Sequence, residues 1–264
     1  MNIDGYLRRI GLTERPPATL DGLRAVHRAH LLTIPFEDID VQLGRPIAID
    51  AASIYAKIVE RKRGGWCYEM NGLLGWALGE LGFRVTRATG AVGREFGDAS
   101  SIGNHLVLRV DLADETWLAD VGFGDGPRDP VRLQPGKFEA AGFDFKLDKL
   151  DSRWWRLTNR PNSSFDFNLD PADENVLAEK CALLQTAPDS PFVQNLVVQR
   201  HVPHGVEVLR GRVHWTFYSD HLTERTIGTA DDLVATLKAV FALDVTEAAS
   251  LWPKIVSRHE DVLA

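Results

Sequence analysis

Among the nucleophilic side chains of this 264-residue chain, two cysteines stand in different settings. Cys67 lies in RGGWCYEMNG, at the start of a run whose apolar positions, Met70, Leu73, Leu74, Ala77, Leu78 and Leu81, recur at helical spacing. A thiol there has what a nucleophile needs. Unpaired N–H groups and the dipole at a helix start favour a thiolate, and the same N–H groups can bind a developing oxyanion. Gly64 and Gly65 put no side chain in front of the sulfur. A buried structural cysteine is the commoner fate of this residue type, and it is the reading for Cys181, in LAEKCALLQ.

A thiol nucleophile also needs a base and a group that orients the base. Of eight histidines, His105 opens the strand-like HLVLRVDL, and Asp120 lies in TWLADVGF, the next such segment. With Ala113 and Asp114 as a two-residue turn, His105 lies opposite Gly122, and Asp120 is its diagonal neighbour on the same face. A turn one residue longer or shorter puts the two on opposite faces, so the hairpin permits the pair without requiring it. Asp120 sits in an apolar run and needs a partner, which a structural salt bridge would supply as well as His105. His201 and His204 flank a turn without a third ligand, and His27 and His30 read as a solvated helix face. No metal site is expected.

The elements that must position these residues fall into three regions. Residues 1–82 read as helical, with Asp50 capping a helix that ends at Gly64 and Gly65. Residues 83–190 carry the hairpin, the glycine-rich GFGDGPRDP, and the strand-like FKLDKL and WWRLTN. Residues 191–264 hold a third group of strands (NLVVQRHV, VEVLRGRV, VHWTFYS) and an amphipathic helix over 230–242. The fold class is α+β. A formal net charge of −7 gives no general attraction for nucleic acid or anionic membrane. No run approaches the ~20 apolar residues of a membrane span. The expectation is a cytoplasmic protein with reduced thiols.

Taken together, RGGWCYEMNG, NHLVLRV and LADVGFG resemble the signature segments of the arylamine N-acetyltransferases, in the same order and at similar spacing. HLLTIPFEDID and TAPDSPFVQN are similar to further family segments, and the match runs from about Tyr6 to about His214. Trp66, Tyr68 and Met70 stand where Tyr, Phe and Gln are more usual. The resemblance implies a helical bundle, an antiparallel β-barrel and an α/β lid, with a papain-like Cys67–His105–Asp120 triad. It implies acetyl-coenzyme A as donor and an aromatic amine or hydrazine as acceptor. Phe36 and Phe123 match acceptor-pocket positions. Ser101, Ile102, Gly103 and Asn104 match the cleft edge near the cofactor, Asn104 being the one assigned to substrate. Arg63 and Glu37 match a bracing charged pair. Gly124 and Gly126 are added as candidates for close approach of coenzyme A, against the alternative of a plain turn. Competing readings are a macrolactam-forming amide synthase of the same fold, a cysteine peptidase or transglutaminase-like hydrolase, and a non-catalytic binding module.

Overall fold

The computed structural model describes residues 1–96, 99–113, 115–160 and 163–263. The helical region contains α1 (Ile3–Arg9), α2 (Leu20–Thr33), the two-residue strand β1 (Phe36–Glu37), α3 (Ile39–Gln42), α4 (Ala51–Tyr55) and α5 (Cys67–Glu80). Asp50 caps α4 by accepting the Ser53 N–H at 2.9 Å, and the helix continues as a π-helical turn over Ala56–Glu60. It stops earlier than expected, because Lys62 takes the left-handed conformation at φ 55°. Gly64 and Gly65 serve close approach instead. A Cβ on Gly64 would strike the Pro35 carbonyl, and Gly65 bridges Phe36 in parallel. The α5 stripe packs into a core with Tyr6, Leu23, Val26 and Ile54.

Two histidines depart from expectation. His27 and His30 are buried, not solvated. The inward face of α2 is Leu23, Val26, His27, His30 and Leu31, and both histidines fall on that i, i+3, i+4 stripe. His30 Nδ1 meets the Tyr6 hydroxyl at 2.9 Å.

The second region is an eight-stranded antiparallel sheet curled into a half-barrel. Its strands are β2 (Arg84–Val92), β3 (His105–Leu112), β4 (Glu115–Ala119), β5 (Val131–Arg132), β6 (Gly136–Ala140), β7 (Phe143–Lys149), β8 (Trp154–Arg160) and β9 (Ser163–Pro171). The spatial order is β5-β4-β3-β2-β9-β8-β7-β6. The β3–β4 register runs from Leu112↔Glu115 to Leu108↔Ala119, as a two-residue connection requires. Ala113 has φ 47°, and Asp114 lies outside the described residues. Helices α6 (Glu174–Thr186) and α7 (Pro191–Gln194) follow.

The third region is an antiparallel meander of β10 (Val197–Val202), β11 (Gly205–Arg210), β12 (Val213–Phe217) and β13 (Leu222–Thr226), with α8 (Ala230–Ala239) and α9 (Trp252–Leu263). Strand β1 of the helical region joins this sheet by pairing with β10, Phe36 to Gln199. One face of the meander, with Val198 and Leu209, packs on Leu233, Leu237 and Ile255.

A buried ion cluster fixes the start of α5. Lys57 Nζ lies 2.9 Å from Glu69 and 3.0 Å from Asp40, and Arg63 lies 2.9 Å from Glu37. Glu69 also accepts the Trp66 N–H at 3.2 Å, closing the first turn of the helix. Two cations face three carboxylates. Burial, reinforced by Glu37, pushes Glu69 up to about 7 despite the opposing pull of Lys57. Removing a cation leaves buried like charges facing one another. Lys57→Met is therefore expected to cost about 3–5 kcal/mol in urea unfolding, and a loss below about 1 kcal/mol would show that the cluster does not hold this helix start.

Candidate active site

Cys67 is the first residue of α5, and it lines a cavity of about 350 Å³ together with residues of several other elements. The wall includes Phe36 from β1, Asn104 and His105 at the start of β3, and Gly122 and Phe123 from the loop after β4. The buried thiol points toward the Asn104 carbonyl, 3.8 Å away. Burial pushes the thiol well up from its ordinary range, and the nearby Cys181 thiol and Asp120 carboxylate act in the same direction. The Leu106 and Tyr68 backbone N–H groups pull against them.

His105 and Asp120 make the contact that the hairpin register allows. His105 Nε2 lies 2.7 Å from Asp120 Oδ2, with both residues buried. The other carboxylate oxygen accepts the Asn71 amide at 2.8 Å and the Gly122 N–H at 2.7 Å. Burial raises the Asp120 pKa, but these three partners outweigh it and hold the carboxyl below the usual range. The hydrogen bond to Asp120 occupies Nε2, which leaves Nδ1 as the ring nitrogen available to act as a base.

Several positioning residues escape a reading based on residue type. Asn71 lies one helical turn beyond Cys67, and the i+4 spacing is its signal. Besides Asp120 it bonds the Leu106 carbonyl and accepts the Val121 N–H, tying α5 to β3 and to the segment after β4. A Cβ on Gly122 would lie 2.7 Å from Cys67 Cα, and one on Gly90 would lie 2.9 Å from the His105 ring. These two glycines let the hairpin close on Cys67.

The other candidate residues are placed as follows. Phe123 stands edge-on to His105, with ring centroids 6.0 Å apart, and is tilted against Phe165. Asn104 is in the cavity wall, but its amide is occupied by the backbone of Val92. Ser101, Ile102 and Gly103 are not in that wall; the Gly103 carbonyl accepts the Tyr68 hydroxyl at 2.7 Å. The space a side chain would need at Gly124 is taken by Gln199, and Gly126 lines a separate depression with Arg128 and His201. Trp66 and Met70, near Cys67 in sequence, are buried, Trp66 edge-on to Phe192, which also lines the cavity. Among the described residues, no three His, Cys, Asp or Glu side chains gather as metal ligands.

An N-acetyltransferase family model matches residues 19–250. The chain belongs to the arylamine N-acetyltransferase family. It is 36% identical to an arylamine N-acetyltransferase of Mycolicibacterium smegmatis over 84% of this chain and 86% of the relative. It is 32% identical to that of Escherichia coli over 93% and 90%. The Mycobacterium marinum enzyme, solved in complex with CoA, superposes with a TM-score of 0.87 at 30% identity over 97% of this chain and 98% of that one. The protein is an acyltransferase of this family, with the family's α+β fold.

The geometry has a direct electrostatic consequence. A thiol pushed up by burial reaches the thiolate form at neutral pH only if a cation stands beside it, and the alkylation rate tests whether His105 of the same cavity wall, bonded to Asp120, supplies one. The rate at which iodoacetamide alkylates Cys67 is expected to reach half its maximum below the ~8.5 of a free thiol. In Asp120→Asn the midpoint should move above that value. An unchanged midpoint in a folded Asp120→Asn protein would remove Asp120 from the ionisation of the thiol.

Proposed function

We propose that Cys67 carries an acetyl group from acetyl-coenzyme A to an aromatic amine or hydrazine. The observation that carries this reading is the buried His105–Asp120 hydrogen bond beside a thiol at a helix start, in a mostly apolar cavity. In the first half-reaction the Sγ proton passes to His105, and sulfur attacks the thioester carbonyl. In this reading first-turn N–H groups of α5 receive the oxyanion. The carbon–sulfur bond to coenzyme A breaks, and His105 returns the proton to the departing thiolate. In the second half-reaction the amine attacks the Cys67 thioester, gives a proton to His105, and Cys67 leaves. Asp120 orients the ring throughout and stays ionised.

The acceptor preference follows from the cavity. Phe36, Val92, Phe123, Leu184, Phe192 and Val197 give it an apolar wall. Such a wall penalises cations and favours rings. Aromatic amines and hydrazines are neutral at pH 7, whereas an alkylamine near pKa ~10.4 is almost wholly protonated. The free thiols and the lack of a helix able to span a membrane, among the described residues, suit a cytoplasmic enzyme.

For the donor, the open face of the meander offers a route. Gln199, Val208 and Trp215 are paired across β10, β11 and β12 and so share a face. Gln199 and Val197 line both the Cys67 cavity and a groove over this face, and Trp215 and Arg210 carry that groove into a third depression. That end presents Arg210, Lys254, Arg258 and His259, with no carboxylate in its wall among the described residues. In a chain of net charge −7, this is a place where the phosphorylated nucleotide of coenzyme A would be attracted. A carrier-bound acyl donor, as an amide synthase would use, carries no nucleotide for these cations to bind.

The tests follow from the two halves. Initial rates with varied acetyl-coenzyme A and substituted aniline should give parallel double-reciprocal lines; converging lines would indicate direct transfer. Phe123→Ala should raise the acceptor KM more than it slows acetylation of Cys67, and the reverse would place Phe123 on the donor side. Arg210→Ala with Arg258→Ala should raise KM for acetyl-coenzyme A about tenfold per lost charge-assisted contact, leaving acetyl-pantetheine unaffected. Equal effects on both donors would contradict the route.

A further inference from the structure

Strand pairing in β4 ends at Ala119, so Asp120 follows the last laddered residue. Its backbone N–H still needs an acceptor in a buried place. That acceptor is a side chain from another region: His27 Nε2, on α2, at 3.2 Å. The other ring nitrogen, Nδ1, lies 2.9 Å from the Arg128 carbonyl. A carbonyl only accepts, so Nδ1 carries the hydrogen and Nε2 is bare. Both nitrogens are satisfied by one neutral tautomer. Burial favours that neutral form, pushing the His27 pKa down.

His27 thus fastens both ends of the segment that holds Asp120, Gly122 and Phe123. Beyond it, the Arg128 guanidinium donates to the carbonyls of Val202, Pro203 and Gly205 in the β10–β11 turn. The helical region, the catalytic loop and the meander are joined through one imidazole and one guanidinium. The Asp120 carboxylate is held by His105, Asn71 and Gly122, while its main chain is held by His27.

We propose that His27 is a positioning residue for the Cys67–His105–Asp120 relay: its bare Nε2 replaces the strand carbonyl that Asp120 lacks and fixes the carboxylate against His105. The proposal rests on the thioester reading given above. It separates His27 from a histidine that is merely packed, because the two ring nitrogens do different work. One bond serves Asp120 and the other serves the far end of the loop.

Two substitutions divide these bonds. In His27→Gln the amide oxygen comes to the place of Nε2 and can accept the Asp120 N–H. In His27→Asn the amide nitrogen comes to the place of Nδ1 and can donate to Arg128, but the Asp120 N–H is left without a partner. Single-turnover acetylation of Cys67 by acetyl-coenzyme A and its deacetylation by an aniline are measured for both, with melting temperatures. His27→Asn is expected to slow both half-reactions by about 10–100-fold at unchanged half-saturating concentrations, the range for one unpaired buried N–H. His27→Gln should stay within about threefold of the parent. Equal rates in the two variants, measured well below both melting temperatures, would overturn the proposal. Acetylation mapped to a residue other than Cys67 would overturn the underlying thioester reading, so the two failures are told apart.

Discussion

An ionised carboxylate in an apolar interior must be matched by donors, because leaving it unmatched costs several kcal/mol, a large share of the stability of a domain. Asp120 is such a group, and its donors come from separate parts of the chain. His105 comes from the neighbouring strand, Asn71 from the helix that starts with Cys67, and Gly122 from its own loop. Satisfying this one charge therefore brings the helix that starts at Cys67 and the hairpin into register. The same contacts that make the carboxylate tolerable also orient the imidazole, so fold stability and site geometry share one set of bonds. The ion cluster of Lys57, Arg63, Glu37, Asp40 and Glu69 does comparable work at the other side of the α5 start.

Part of this arrangement is legible in the sequence because it is local. The α5 stripe marks a helix beginning at Cys67, and the two-residue connection fixes the β3–β4 register. That register decides whether His105 and Asp120 share a face, so a short-range count reaches a long-range contact. The Arg63–Glu37 pair also appears as expected, but the sequence does not announce that Lys57, Asp40 and Glu69 join it. Those residues lie on separate elements, and only their packing makes them neighbours.

The features that were missed have a common physical cause. Polar residues on an inward helical face look solvated when polarity is weighed more than periodicity, and His27 and His30 are of this kind. The close approaches at Gly90 and Gly122 depend on a partner segment remote in sequence. The pairing of β1 with β10 and the cationic end of the meander groove likewise arise from tertiary contact. Gly124, a possible phosphate cradle by its glycine-rich surroundings, has its open side filled by Gln199. Local composition there indicated a flexible backbone, while tertiary packing determined what that freedom accommodates.

The central claim is that the group transferred rests covalently on Cys67 between two half-reactions. The most direct measurement is the intact mass of the protein after mixing with acetyl-coenzyme A in the absence of any acceptor, followed by peptide mapping. The account predicts a gain of one acetyl group, located on Cys67 and lost when an aromatic amine is added. A protein whose mass does not change, yet which still acetylates the amine when both substrates are present, would contradict it.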